Sequence, residues 1–127
     1  MPKARNRFER SNQVLAWLKH EWPCGRPVRL RWRKEIKGGG EQYFGETWRD
    51  GRSLVIDLSR RRNRHWATMV ESLCHEWAHC VLWGSATIEH NPKCNDHSPA
   101  FWAQYGEIID RWSHDGGAEQ ANEFGVS

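Results

Sequence analysis

The sequence predicts an α+β fold in which a small sheet packs against helices. Three observations carry that prediction. Apolar residues recur at helical spacing in three separate stretches, near residues 8–21, 65–82 and 98–113. Residues 28–59 instead alternate apolar with polar and are broken by turn signals. The resulting order is helix, three strands, helix, loop, helix, which groups the strands instead of interleaving them with helices. The 127 residues amount to one domain, able to bury roughly two-thirds of its unfolded surface.

Residues 1–7 read as a loose basic arm. Phe8, Val14, Leu15, Leu18 and Trp22 then fall near one face, giving an amphipathic helix over residues 8–21. Pro23, Gly25 and Pro27 stop it. Residues 28–36 alternate, with Val28, Leu30 and Trp32 on one side and Arg29, Arg31 and Arg33 on the other: a half-buried strand with a basic outer face. A glycine-rich turn at 37–40 leads to a second strand at 41–48, in which Gly45 reads as a bulge. Asp50-Gly51 is a hairpin signal, and the third strand, 53–59, points Leu54, Ile56 and Leu58 inward. The basic loop Arg60, Arg61, Arg62 and Arg64 precedes a long helix over 65–82, with Trp66, Met69, Val70, Leu73, Trp77, Cys80 and Val81 on its apolar stripe. Residues 84–97 show no period. Ser98 suits an N-cap and Pro99 the first turn of a last helix. The acidic, glycine-containing tail from Asp115 is expected to fray.

Composition narrows the class. Hydrophobic residues make up 38% and charged residues 28%, the profile of a globular protein. No apolar run approaches the ~20 residues of a membrane span. The basic residues after Met1 are not followed by an apolar stretch, so no secretory signal is read. The expectation is a cytoplasmic protein with its four cysteines, Cys24, Cys74, Cys80 and Cys94, reduced. The net charge of +3 conceals an asymmetry. Residues 1–34 carry ten Lys/Arg against two acids, 35–64 seven against five, and 65–127 two against nine. Two surfaces of opposite sign imply separate partners.

The chemistry concentrates in His75-Glu76-Trp77-Ala78-His79. Residues four apart on a helix share a face, so both imidazoles can reach one metal ion, with Glu76 beside them as a general base. The alternative is a solvated helix face carrying two histidines. A catalytic zinc site needs a third protein ligand. Glu89, His90, Cys94, Asp96, His97 and His114 all lie downstream. His97 leads because it abuts a marked helix start, a fixed position. Cys80, His90, Cys94 and His97 form an alternative, structural zinc set of irregular spacing. Tyr43 and Tyr105 are candidate donors to an oxyanion, and Glu71 and Asp110 candidate partners of a ligand imidazole.

With the segment His97-Ser98-Pro99-Ala100-Phe101-Trp102, this motif resembles the SprT-like and YgjP-like zinc metallopeptidases. The likeness spans about residues 8–113 and rests on the two blocks together. Ser98 stands where glycine is common, the loop between the blocks does not map, and the paired-cysteine zinc ribbon of many members is missing. The resemblance implies a zincin-like fold and a peptidase with zinc as cofactor, metal ligands His75, His79 and His97, and Glu76 as catalytic base. It also implies action on proteins associated with DNA. Arg29, Arg31, Arg33, Arg60, Arg61, Arg62 and Arg64 suit phosphate contacts with nucleic acid; their alternative is a solvated strand face and loop. A peptide substrate would lie along a sheet edge, at 41–48 or 53–59. The competing function is a DNA-associated module whose zinc is structural. A non-catalytic zincin-like interaction protein is a third reading, against which the intact Glu76 argues.

Overall fold

The computed structural model describes residues 3–38, 41–83 and 97–125. Helix α1, Arg7–Glu21, is capped by Asn6, whose side chain accepts from the Glu9 amide at 2.9 Å. Arg5 reaches forward to the Glu9 carboxylate, so residues 5–7 belong to the helix start and the basic arm is shorter than expected.

Strands β1 (Val28–Arg33), β4 (Gly45–Asp50) and β5 (Ser53–Ser59) form the main sheet in the order β1-β5-β4, with β1 parallel and β4 antiparallel to β5. The chain runs between β1 and β4 through a separate two-stranded hairpin, β2 (Ile36–Gly38) with β3 (Glu41–Tyr43). The two long strands expected at 28–36 and 41–48 are therefore each split. Gly45 is not a bulge: it pairs directly with Leu58, and the register runs unbroken to Asp50 opposite Ser53. Its missing side chain serves close packing instead. A Cβ there would lie 3.0 Å from the Asp57 carbonyl oxygen and 3.3 Å from Glu76 Cγ. The β4–β5 loop is Gly51-Arg52, one residue later than the Asp50-Gly51 signal suggests, with Gly51 at φ +63°.

β5 is central, and residues 54–59 are buried. Leu54, Ile56 and Leu58 join the core formed with α1 and helix α2, Trp66–Val81, through Val14, Trp17, Leu18, Met69, Leu73 and Trp77. The opposite face is not simply a solvated basic surface. The parallel register sets Arg31 beside Asp57, whose fully buried carboxylate takes two bonds from the guanidinium, at 2.8 and 3.0 Å, and one from the Trp48 indole at 2.9 Å. Arg29 pairs with Asp50 at 2.8 Å. Arg33 also approaches Asp57, at 3.8 Å, so all three strand arginines expected to be free for phosphate lie beside acids.

Helix α3, Pro99–His114, starts where expected, with the Ser98 hydroxyl accepting from the Phe101 amide. The tail expected to fray instead forms α4, Gly117–Gln120, and a short 3-10 turn, Ala121–Glu123, against α1. Arg10 donates to the Ala118 carbonyl and the Asn122 side chain, and Trp17 donates to Gln120. Gly117 packs so tightly that a Cβ would sit 2.6 Å from the Trp17 ring. Composition suggests a frayed tail because these anchors lie more than a hundred residues upstream. No helix among the described residues is long and apolar enough to cross a membrane.

Candidate metal centre

α2 sits between the sheet and α3 and turns different faces to each. Leu73 and Trp77 enter the core, His75 and His79 face α3, and Glu76 points toward β4. The start of α3 brings in His97. One nitrogen from each of His75, His79 and His97 falls within a sphere in which no pair is more than 4.8 Å apart, and the Nε2 atoms of His75 and His97 are 3.2 Å apart. Two nitrogens held at 2.0–2.1 Å by a tetrahedral zinc ion would be roughly 3.3 Å apart. The donor set and the His75–His97 spacing therefore fit a metal ion, and the three residues could hold one.

Aromatic rings wall the cluster. Phe101 stacks on His79 at 4.3 Å between centroids and meets His75 edge-on at 4.8 Å. Trp102 lies nearly parallel to the His97 ring, 5.7 Å away. Ser98 is the N-cap, so His97 and Trp102 occupy the positions before the cap and four into the helix. That pairing is a side-chain staple across the helix start. The same device that begins α3 thereby orients His97, the exposed member of the three.

Burial sets the electrostatics. His75 is pushed down to about 4 by desolvation and then by the neighbouring His97. His79 is pushed down to about 3 by desolvation, then by His75 and His97. Both imidazoles are neutral at physiological pH, as metal ligation requires. Glu76 moves the other way, up to about 7, because burial outweighs a 2.8 Å hydrogen bond from the Thr47 hydroxyl, with Glu46 adding like charge. A carboxyl poised near neutrality is suited to taking and returning a proton.

These shifts predict how the metal-free protein responds to pH. For the two histidines the folded values lie below the ordinary 6.5. The unfolded chain then binds more protons, and stability is lost as pH falls below about 6.5. Glu76 is raised above its ordinary 4.5, so its contribution favours folding at low pH and is lost as pH rises through about 7. Two groups outweigh one between pH 4.5 and 6.5. The melting temperature of metal-free protein is expected to climb across that window and peak between about pH 6 and 7. Calorimetry in matched buffers checks this, and a flat or falling profile there contradicts it.

Beside His75 and Glu76 a cleft of about 320 Å³ opens between α2, the β3–β4 corner and α3, lined by Tyr43, Phe44, Glu71 and Tyr105 among others. Both expected tyrosines therefore line the cleft, and Tyr105 is partly buried there. Its hydroxyl is held above the usual phenol range by desolvation and the Glu71 charge. Glu71 faces the cleft, whereas Asp110 is exposed and lies 4.0 Å from His114. His114 is outside the cluster. Glu89, His90, Cys94 and Asp96 lie outside the described residues; Cys80 is buried and not in the cluster. Thr47 has a place in the site that the linear reading overlooks. Its inward register opposite Ile56 was the available signal, since a buried hydroxyl requires a partner.

Of the remaining basic residues, Arg60, Arg61 and Arg64 gather with Arg7 and Lys34 around an open groove of about 700 Å³. Arg61 also contacts Glu35 at 3.2 Å, and Arg62 lies over the Phe44 ring, 5.9 Å from its centroid. The chain matches no family model, no curated protein and no solved structure in comparisons with each.

Proposed function

We propose that this protein is a zinc-dependent peptidase of the SprT-like kind, with His75, His79 and His97 as metal ligands and Glu76 as general base. The observation that carries the reading is the convergence of three imidazoles, His75 and His79 among them held neutral by burial, next to a buried carboxyl poised near neutrality, with His75 and Glu76 lining an open cleft. Structural zinc sites are closed by four protein ligands, whereas hydrolytic sites leave a position open. Among the described residues only three ligands gather.

Zinc bound here supplies a water acidified to a pKa near 7. The rest of the chemistry falls to the chain. Glu76 accepts the proton of the attacking water and delivers it to the leaving amine. Thr47 holds the Glu76 carboxyl in place through Oε1. Tyr105 and Tyr43 are the hydroxyls beside the cleft available to a developing oxyanion. β5 is the centre of the main sheet and β1 and β4 are its edges; β4 is the edge that reaches Glu76, through Thr47, so an extended substrate would add beside β4. The test is proteolysis of an unfolded protein substrate by zinc-reconstituted enzyme, with and without a chelator. Cleavage that stops on chelation and returns with zinc supports the reading; none across a broad peptide library overturns it.

The groove of Arg7, Lys34, Arg60, Arg61 and Arg64 favours a second property, contact with the phosphates of nucleic acid. Replacing Arg60, Arg61 and Arg64 by glutamine is expected to weaken DNA binding at every sequence. The log-log salt slope should fall by about one for each lost contact. Replacing Arg31, already paired with Asp57, should leave the slope unchanged in folded protein. Equal slopes for wild type and the triple variant in a salt titration would remove the groove from consideration. DNA binding without any proteolysis would favour a DNA-associated module.

A further inference from the structure

Glu71, His75 and His79 follow one another at four-residue spacing, so they line one face of α2. Glu71 stands one turn before the first ligand and opens into the same cleft. It is exposed, and no cation among the described residues is paired with it. Around it stand the rings of Tyr43, Phe44 and Tyr105. Tyr43 is 44% exposed and Phe44 48% exposed, large apolar surfaces left open next to a carboxylate. Aromatic faces combined with one carboxylate are the chemistry that selects an organic cation, since the ring quadrupole and the full charge act in the same direction. One wall already behaves this way, with the Arg62 guanidinium over Phe44. An aliphatic or acidic group gains less here, the first forgoing the charge and the second meeting Glu71 at like sign.

We propose that the cleft binds a cationic group of the substrate, an ammonium or guanidinium, with Glu71 as its counter-ion and Tyr43, Phe44 and Tyr105 as its walls. The proposal rests on the peptidase reading and specifies its substrate: peptides presenting a lysine or arginine side chain, or a free N-terminal amine, next to the scissile bond. The volume, about 320 Å³, accommodates one such residue, not an extended ligand.

The test separates binding from catalysis. Zinc-loaded Glu76→Gln protein is titrated with short peptides carrying lysine, arginine, norleucine or glutamate at one position, each with a free and an acetylated N-terminus. Lysine and arginine peptides are expected to bind about tenfold more tightly than the norleucine peptide. If the amine is the recognised group, the four free-amine peptides bind alike and acetylation instead weakens them all about tenfold. Glu71→Gln should erase the difference and Glu71→Lys should reverse it in favour of glutamate, each variant being compared at saturating zinc. Absence of any cationic preference, or one that survives Glu71→Gln, overturns the proposal. Cleavage by wild type without that preference leaves the peptidase reading standing and sinks the pocket. Cation-selective binding without cleavage by wild type does the reverse.

Discussion

Glu76→Gln is expected to abolish hydrolysis while sparing the fold and the zinc content, a loss of about 10²- to 10⁴-fold in turnover. Glutamine is nearly the same shape as glutamate. Its carbonyl oxygen can still accept from the Thr47 hydroxyl that now sits 2.8 Å from Glu76 Oε1, so the side chain keeps its place. What disappears is the ability to take a proton. Zinc content should remain at that of wild type, because the three imidazoles are untouched. A second consequence follows from burial. Above pH 7 the wild type must keep an ionised carboxylate in a dry position, as its rise to about 7 indicates. The neutral amide avoids that cost, so the metal-free variant should melt at or above the wild-type temperature at pH 8. Turnover at the wild-type rate would remove Glu76 from the mechanism. A variant with lost zinc and a lowered melting temperature would show that Glu76 acts structurally.

His97→Ala is expected to lower zinc affinity by at least about 100-fold. The two histidines of α2 come from one helix turn and would supply two ligands of a bound ion; a third would come from another element. His97 is exposed and stands outside the core, so its removal leaves no buried void. The stability of the metal-free protein should therefore change by no more than about 0.5 kcal/mol. The Ser98 cap and the Trp102 stack belong to the same helix start and keep the exposed imidazole aimed at its partners. Competition with a chelator of known affinity measures the change, and His114→Ala provides the control, since His114 lies outside the cluster. Zinc retained at wild-type affinity in His97→Ala would transfer the third ligand to residues 84–96, where His90 is the imidazole.

The two predictions differ in how far they depend on folding, and the difference explains what could be read from the linear chain. Glu76 and its flanking histidines lie within five residues on one helix, so their geometry follows from the helical repeat alone. His97 lies 22 residues beyond His75. Its marks were local, Ser98 and Pro99 beside it, but its meeting with His75 required α3 to pack on α2. Thr47, Tyr43 and Tyr105 gave no comparable local signal. Each is an ordinary residue of a strand or helix until β4 and α3 close on α2 from either side.

By itself the sequence determined the α+β class, the bounds of the three long helices to within a residue or two, the inward set Leu54, Ile56 and Leu58, and the shared face of His75 and His79. These are consequences of periodicity and capping, which act over a few residues. Only the tertiary structure decided that β5 is central with β1 and β4 at the edges, that Gly45 permits close approach instead of bulging, and that Arg31 is spent on Asp57. It alone decided that the acidic tail docks on α1 and that His97 meets His75 and His79 beside a cleft lined by His75, Glu76 and two tyrosines. Each of these depends on strand register and helix packing between residues distant in the chain. There a slip of one position would turn every side chain to the other face.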